Sequence, residues 1–324
     1  MKKSNLIASL AISSAFLIPA MESSAQTLFS DNFDVNTSAI YTVNKDADTE
    51  ALFNYDYSLM GIPSAPNSAG TTFGVRFRAN YGDATAAAAA INISPTGAIF
   101  AGDYKLRYDL WINPNGPFPG GGPGSTEFST GGVGNSGLSV QKNITTTTGP
   151  ATGPWFAVDG EGGSTSDFRA YRGVNLEAGT SAAYAATDDA FNRRDSANGY
   201  YLGTFPGGQQ APAFQQTTYP TNQTGALAAG TIGFGWRQVE IAKIGTNVTW
   251  TIDGLLIATL NNATFSGSNI FVGHWDAFSS IADNAELNFS VIDNLQVEAI
   301  PEPSTIALGV LGAAGLFFAA RRKR

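Results

Sequence analysis

Few residues of this 324-residue chain can perform acid–base or nucleophilic chemistry, because it has one histidine, His274, and no cysteine. A zinc site with two histidines and a cysteine nucleophile are therefore excluded. A Ser-His-Asp triad would have to pass through His274, and no serine stands in the Gly-x-Ser-x-Gly pattern of a hydrolase nucleophile elbow. The simpler interpretation of His274-Trp275-Asp276 is a strand end whose imidazole binds a neighbouring backbone group.

Two acidic stretches have the residue types that glycoside hydrolysis or calcium binding requires. Asp46, Asp48 and Glu50 alternate along the chain, but no aromatic residue alternates with them, so a solvated turn is the favoured interpretation and calcium the alternative. Glycoside hydrolysis needs two carboxyl groups roughly 5 to 10 Å apart across the bond, and no pair can be assigned from spacing. No cofactor is predicted except a candidate calcium ion, because alternate hard oxygens suit that ion. Its candidate ligands are Asp276, Asp283, Asn284 and Glu286.

Five tryptophans can either fill a core or stack on sugar rings, since an indole presents a flat apolar face and a polar edge. Core positions are the favoured interpretation for Trp236 and Trp250. Trp111 falls on the charged side of an alternating strand and is expected to face outward. Trp111 and Trp275 are therefore the candidate glycan contacts.

Short strands are expected to position these residues, because glycine is abundant and alternation is clear in several segments. The best patterns are 71–80 and 104–113, then a three-stranded meander over 236–260 with a turn at Asp253-Gly254. Strands are also predicted at 84–93 and 138–144. Residues 113–137 are expected to form a long loop with at most a short strand near 126–129, and 177–230 a loop with one short helix. Gly132, Gly134 and Gly137 match a dinucleotide-binding spacing, but no helix follows them.

The charge balance excludes one class of partner. The chain carries 18 Lys and Arg against 26 Asp and Glu, with a net charge of −8, and six of its cations lie at the two ends. The central part is therefore strongly acidic, which argues against nucleic acid as a partner.

Both termini indicate export. Lys2 and Lys3 precede a mostly apolar run over 6–20 and small residues before Gln26, so residues 1–25 are predicted to be a cleaved signal peptide. At the other end an apolar segment over 304–320 is predicted to be a transmembrane helix. The basic tail Arg321, Arg322, Lys323 and Arg324 is expected to stay in the cytoplasm as the membrane stop, which places residues 26–299 across the membrane.

The C-terminal segment 300–324 resembles the PEP-CTERM sorting signal, because Pro301, Glu302 and Pro303 precede the apolar segment and the basic tail. The resemblance implies that an exosortase recognises these three residues and cuts near them. A plain single-span anchor is the alternative.

The central region, 26–299, resembles the concanavalin A-like or laminin G-like fold. The resemblance implies an all-β, antiparallel jelly-roll β-sandwich whose first and last strands are neighbours. The residues that carry it are the opening 31–34, the meander 248–260 and the closing 291–297.

These expectations combine into one functional hypothesis. The chain is predicted to be a non-catalytic envelope or extracellular-matrix protein that binds exopolysaccharide or serves as a structural, adhesive protein after transient membrane anchoring. A polysaccharide-active glycoside hydrolase of the same fold is the alternative.

Overall fold

A computed structural model describes residues 25–82, 88–143, 149–178, 182–189 and 191–301. Fifteen strands and two short α-helices are found in this part of the chain. The strands are β1 Thr27–Asp31, β2 Tyr41–Lys45, β3 Thr49–Asp56, β4 Phe73–Ala79, β5 Ala89–Pro95, β6 Tyr104–Asn113, β7 Glu127–Asn135, β8 Pro154–Asp159, β9 Phe168–Arg172, β10 Asn175–Leu176, β11 Arg237–Ile244, β12 Asn247–Ile252, β13 Leu255–Leu260, β14 Asn269–Asp276 and β15 Phe289–Ala299. The helices are α1 Gly199–Leu202 and α2 Ala213–Thr218.

The strands form two antiparallel sheets that pack face to face. The first sheet has the order β13-β12-β11-β6-β15-β4-β3, with β1 also paired to β15. The second sheet has the order β10-β9-β8-β7-β14-β5-β2. This arrangement confirms the predicted all-β antiparallel sandwich of two sheets, and the pairing of β1 with β15 is the neighbour relation that the resemblance implied.

The main core lies between the sheets, where alternate residues of each strand point inward. Trp250 stacks on Phe156 across this core with 5.0 Å between ring centroids, which confirms its core interpretation. Val291 is buried in a second cluster, together with Trp111 and Phe234, on the outer side of the first sheet.

Strand β7 shows where the sequence-based prediction was wrong, because it is a central nine-residue strand in a region predicted to be mostly loop. A Cβ at Gly131 would lie 2.6 Å from the Tyr108 hydroxyl, and one at Gly132 would lie 2.4 Å from the Phe271 ring. The glycines that suggested a loop are therefore required by close packing on both sides of a buried strand. The described residues 138–143 contain no strand, so that prediction was also wrong.

Candidate functional site

The outer face of the second sheet, the side turned away from the main core, carries a cluster of aromatic rings. Trp155 of β8 stacks on Tyr171 of β9 with centroids 4.0 Å apart and an angle of 9° between the planes. Trp275 of β14 packs against Trp155 at 5.6 Å and against Phe128 of β7 at 5.5 Å. These residues share one face because strand neighbours in register point the same way, as Trp275 and Phe128 do.

One cation lies on this aromatic face. The Arg169 guanidinium of β9 is 4.0 Å from the Phe128 ring centroid and 5.7 Å from that of Trp275. Its Nε donates to the Ser166 carbonyl at 2.7 Å. Such contacts between a cation and aromatic faces fix the guanidinium within the cluster.

Four polar atoms on the same face are buried and have no hydrogen-bond partner among the described residues. Because an unsatisfied buried donor or acceptor costs about 1 to 3 kcal/mol, four such atoms on one face are unusual. Their parent residues are at most 2% exposed and lie on three adjacent strands of one sheet, β7, β14 and β5. The atoms are Asn92 Nδ2, Ser94 Oγ, Thr130 Oγ1 and Trp275 Nε1.

A glycine lies in the middle of this face because the neighbouring strand leaves no room for a side chain there. Gly273 is opposite Asn92 on one side and Thr130 on the other. A Cβ at Gly273 would lie 2.7 Å from the Asn92 Cβ and 2.2 Å from the Ile91 carbonyl oxygen. The polar groups of Asn92 and Thr130 therefore flank a position that carries no side chain.

The connection from β7 to β8 contacts this face, and its described residues are 136–143 and 149–153. The backbone amide of Gln141 donates to Asn92 Oδ1 at 3.0 Å, so only the amide nitrogen of that side chain is unpartnered. The ammonium of Lys142 lies 2.7 Å from Asp46 Oδ2 at the edge of the sheet. Asn143 donates to the Val174 carbonyl near the opposite edge.

Three carboxyl groups are buried at the end of β8 and in the connection that follows it. Burial, with smaller contributions from repulsion by Glu127 and Asp167, raises the pKa of Glu161 to about 8 although hydrogen bonds from Ser125 and Thr126 act in the opposite direction. Burial also raises the pKa of Asp159 and Asp167, which share a hydrogen bond. The Ser125 and Thr126 hydroxyls lie 2.8 and 3.2 Å from Glu161 Oε1. At neutral pH this group of carboxyls retains protons that the same residues would release in water.

His274 connects the two sheets inside the main core rather than on the outer face. Its Nδ1 is 2.9 Å from Ser290 Oγ of β15, and its Nε2 contacts Glu127 Oε2 of β7. Burial lowers the pKa of His274 to about 4 and raises the pKa of Glu127 well above its ordinary value. The pair is therefore neutral, with Glu127 donating to the imidazole. Serine, histidine and a carboxyl meet here as in a triad, but all three side chains are buried.

The two candidate glycan contacts lie on different sheets. Trp275 is in the aromatic cluster just described. Trp111 lies on the outer side of the first sheet, as its alternation predicted, but it is only 3% exposed and packs 5.8 Å from Trp236. Its indole nitrogen donates to Asn113 Oδ1 at 3.4 Å. The geometry therefore favours Trp275 over Trp111 as a glycan contact, because the Trp275 indole nitrogen has no hydrogen-bond partner among the described residues. Both glycan roles stay predictions.

The candidate calcium ligands bind different partners. Asp276 accepts hydrogen bonds from Asn80 at 2.5 Å and from the Phe278 amide at 2.7 Å. Glu286 pairs with Arg78 at 2.9 Å, while Asp283 accepts from Asn115 and Asn222. Within the described ranges, no group of three or more His, Cys, Asp or Glu residues is arranged to hold a metal ion. A calcium role for Asp276, Asp283, Asn284 and Glu286 thus stays a prediction.

Asp46 and Glu50 also have protein partners rather than a shared site. Asp46 accepts from the Ala90 amide at 2.8 Å as well as from Lys142. Glu50 pairs with Arg76 and Arg78.

The predicted export segments fall mostly outside the described part of the chain. Pro301 is described and exposed, just beyond the end of β15 at Ala299. The signal peptide except Ala25, Glu302, Pro303, the helix over 304–320 and the basic tail lie outside that part. Among the residues that the structure describes, no helix has the length and apolarity to cross a membrane.

Several solved structures resemble this one at low sequence identity. The Emp47p carbohydrate recognition domain aligns with a TM-score of 0.41 and 9% identity, covering 86% of this chain and 99% of that one. The VIP36 exoplasmic/lumenal domain in its Ca²⁺- and mannose-bound form gives 0.36 and 8%, covering 82% and 85%. The Crh5 transglycosylase in complex with NAG gives 0.39 and 14%, covering 84% of each chain. Function is therefore inferred from this chain's own residues.

Sequence comparison identifies only the C-terminal segment. No curated protein matches the chain. Residues 299–324 match the family model described as the PEP-CTERM protein-sorting motif, so the end of this chain is a PEP-CTERM sorting motif.

Proposed function

We propose that this chain is an exported envelope or matrix protein that binds a polysaccharide, without cleaving it, on the outer face of the second sheet. The observation that carries the proposal is the set of four unpartnered polar atoms among the aromatic rings. Because these atoms are buried, binding requires that this face become exposed. A glycan supplies what this face lacks, since its hydroxyl groups both donate and accept hydrogen bonds and its C–H faces pack on aromatic rings.

The chemistry of the face favours a neutral, hydroxyl-rich chain. Two of the unpartnered atoms are nitrogen donors, Asn92 Nδ2 and Trp275 Nε1, and two are hydroxyls that can donate or accept. Asp159, whose pKa of about 6 leaves it ionised at neutral pH, would disfavour an anionic sugar. Arg169 is the one cation on the aromatic cluster among the described residues. A neutral polysaccharide therefore satisfies more of these groups than an acidic one.

Affinity electrophoresis tests this proposal. The purified protein is run in native gels that contain laminarin, dextran, mannan, alginate or the exopolysaccharide of the producing bacterium. We expect retardation by at least one neutral polysaccharide, relative to a gel without polymer, and less retardation by alginate. Equal migration in every gel would contradict the proposal.

Polysaccharide hydrolysis is the second candidate, because Asp159 and Glu161 are neighbouring buried carboxyls with raised pKa values at the edge of the same face. A hydrolase would release reducing ends from the polysaccharide that retards the protein, and Asp159→Asn would abolish that release. Under the binding proposal no reducing ends form above the background of a heat-inactivated sample.

The sorting motif leads to a separate prediction about the mature chain. If an exosortase processes the protein, mass spectrometry of the envelope or extracellular fraction will find a chain that starts after Ala25 and ends near Pro301. Processing would remove the apolar segment and basic tail, which would otherwise hold the chain in the membrane. A secreted chain that still ends at Arg324, in a host that has an exosortase, would contradict this prediction.

A further inference from the structure

We propose that a polar trough on the outer side of the first sheet is a second saccharide-binding site. The trough is lined by Asn67, Arg107, Asp109, Gln238, Asn294 and Gln296. It lies on the opposite side of the sandwich from the aromatic face, since all of its strands belong to the first sheet.

The floor of the trough is a buried carboxylate held by amides. Asp109 of β6 is 1% exposed. Its Oδ1 accepts from the Asn67 side chain at 2.8 Å, and its Oδ2 accepts from the Asn67 backbone at 3.1 Å and from the Asn294 side chain at 3.0 Å. These bonds orient the amides of Asn67 and Asn294, so that the floor has a fixed pattern of donors and acceptors.

A bulge in β15 gives the trough its shape. The pairing of β15 with β6 shifts register between Asp293 and Gln296, and Asn294 has a positive φ of 52°. The bulge shifts the alternation by one residue, since Val291 lies in the outer cluster whereas Leu295 and Val297 lie in the main core. Asn294 and Gln296 therefore line the outer hollow.

The trough is large enough for sugar units and has the groups that bind them. Its hollow of about 260 Å³ adjoins one of about 370 Å³ that also includes Asn294 and Gln296. Small-molecule sites commonly span roughly 300 to 1,000 Å³. Arg107 is already paired with Glu240 at 2.7 Å, so it offers no free positive charge to an anion. Carboxylate and amide groups without a free cation fit the hydroxyls of a neutral sugar.

Two saccharide sites on opposite faces make the domain bivalent. A bivalent domain cross-links long polysaccharide chains, whereas a single site only coats them. Binding at the trough is independent of the aromatic face, but the cross-linking rests on the proposed function as well.

The test substitutes two glutamines that line the trough and are exposed, Gln238 and Gln296. The double variant Gln238→Ala/Gln296→Ala is compared with Gln210→Ala, an exposed glutamine outside the trough, and with Trp275→Phe on the aromatic face. Each is run in the polysaccharide gels above and mixed with the polymer that retards the wild type, while turbidity is recorded. We expect the double variant to bind about tenfold more weakly, as two lost hydrogen bonds imply, and to produce no turbidity. Gln210→Ala should match the wild type in both assays.

Whenever a polysaccharide retards the wild type, the variants separate the two sites. If the double variant matches the wild type in retardation and turbidity, the trough is not a saccharide site, whatever Trp275→Phe does. If the double variant loses binding while Trp275→Phe does not, the trough stands and the proposal for the aromatic face fails. If no polysaccharide retards the wild type, both are overturned.

Discussion

The free energy of unfolding is expected to fall as the pH rises from 6.5 to 8. Glu161 has its pKa raised to about 8 by burial, and burial also raises the pKa of Asp167 and Glu127. A raised carboxyl pKa means that the folded chain keeps a proton which the unfolded chain has released above about pH 4.5. Stability from each such group is complete below that pH and is lost as the pH rises toward the folded pKa. Each retained proton contributes about 1.4 kcal/mol per pH unit, so we expect a loss of several kcal/mol.

His274 acts in the opposite direction but in a lower window. Its pKa of about 4 in the folded chain, against 6.5 in the unfolded one, destabilises the fold only as the pH falls below 6.5. Between pH 6.5 and 8 the buried carboxyls therefore determine the slope.

Urea unfolding of the wild type and of Glu161→Gln at pH 6.5, 7.25 and 8 measures this slope. The glutamine cannot hold the extra proton, so the slope should become shallower by about one proton. Asp189→Asn is the matched control, because hydrogen bonds from backbone amides lower the pKa of that exposed carboxyl and place its titration below this window. If the free energy of unfolding of the wild type is constant or rises over this pH range, the buried carboxyls do not retain their protons in the folded chain and the prediction is wrong.

Trp275→Phe is expected to weaken polysaccharide binding by roughly fivefold to tenfold, because it removes the unpartnered indole donor and retains an aromatic ring. Trp155→Phe is the matched comparison on the same face, since Trp155 Nε1 donates to the Gly173 carbonyl at 2.7 Å. Both substitutions remove similar volume, but only Trp155→Phe leaves a protein acceptor without its donor. Trp155→Phe should therefore destabilise the fold more, by about 1 to 3 kcal/mol.

Urea unfolding and affinity electrophoresis of the two variants provide both readouts. Thr130→Val extends the comparison, because it removes a second unpartnered group with little change in volume. We expect Trp275→Phe and Thr130→Val to weaken binding while costing less stability than Trp155→Phe. If both variants bind as the wild type does, the unpartnered atoms do not contact the ligand and the proposal for this face is wrong.

Sequence alternation predicted the parts of the fold that consist of half-buried strands. Strand β6 and the meander β11-β12-β13 follow the predicted patterns closely, because their inward and outward residues differ in polarity. Strand β7 could not be found in this way, because both of its faces are buried and glycines replace side chains on each. Alternate residues of β7 therefore do not differ in polarity, and the strand shows no alternating pattern.

The candidate site was only partly predictable for a different reason. Trp275 was identified by its residue type, but the other unpartnered groups come from β5 and β7, which adjoin β14 only through sheet topology. A local signal did exist for two of them, since Asn92 and Ser94 alternate with Ile91 and Ile93 in a strand. Polar residues between isoleucines predict a face that is not an ordinary core, but sequence alone does not place Thr130 beside them.

The most direct test of the central claim is the indole N–H resonance of Trp275 in a ¹⁵N-labelled protein, followed while the retarding polysaccharide, cut to short oligomers, is added. The five indole signals are assigned by single Trp→Phe variants. A glycan bound on the outer face of the second sheet will give the unpartnered Trp275 N–H a new acceptor, so its signal will shift strongly downfield while that of Trp250, in the main core, stays in place. An unchanged Trp275 signal at saturating oligomer would contradict the claim.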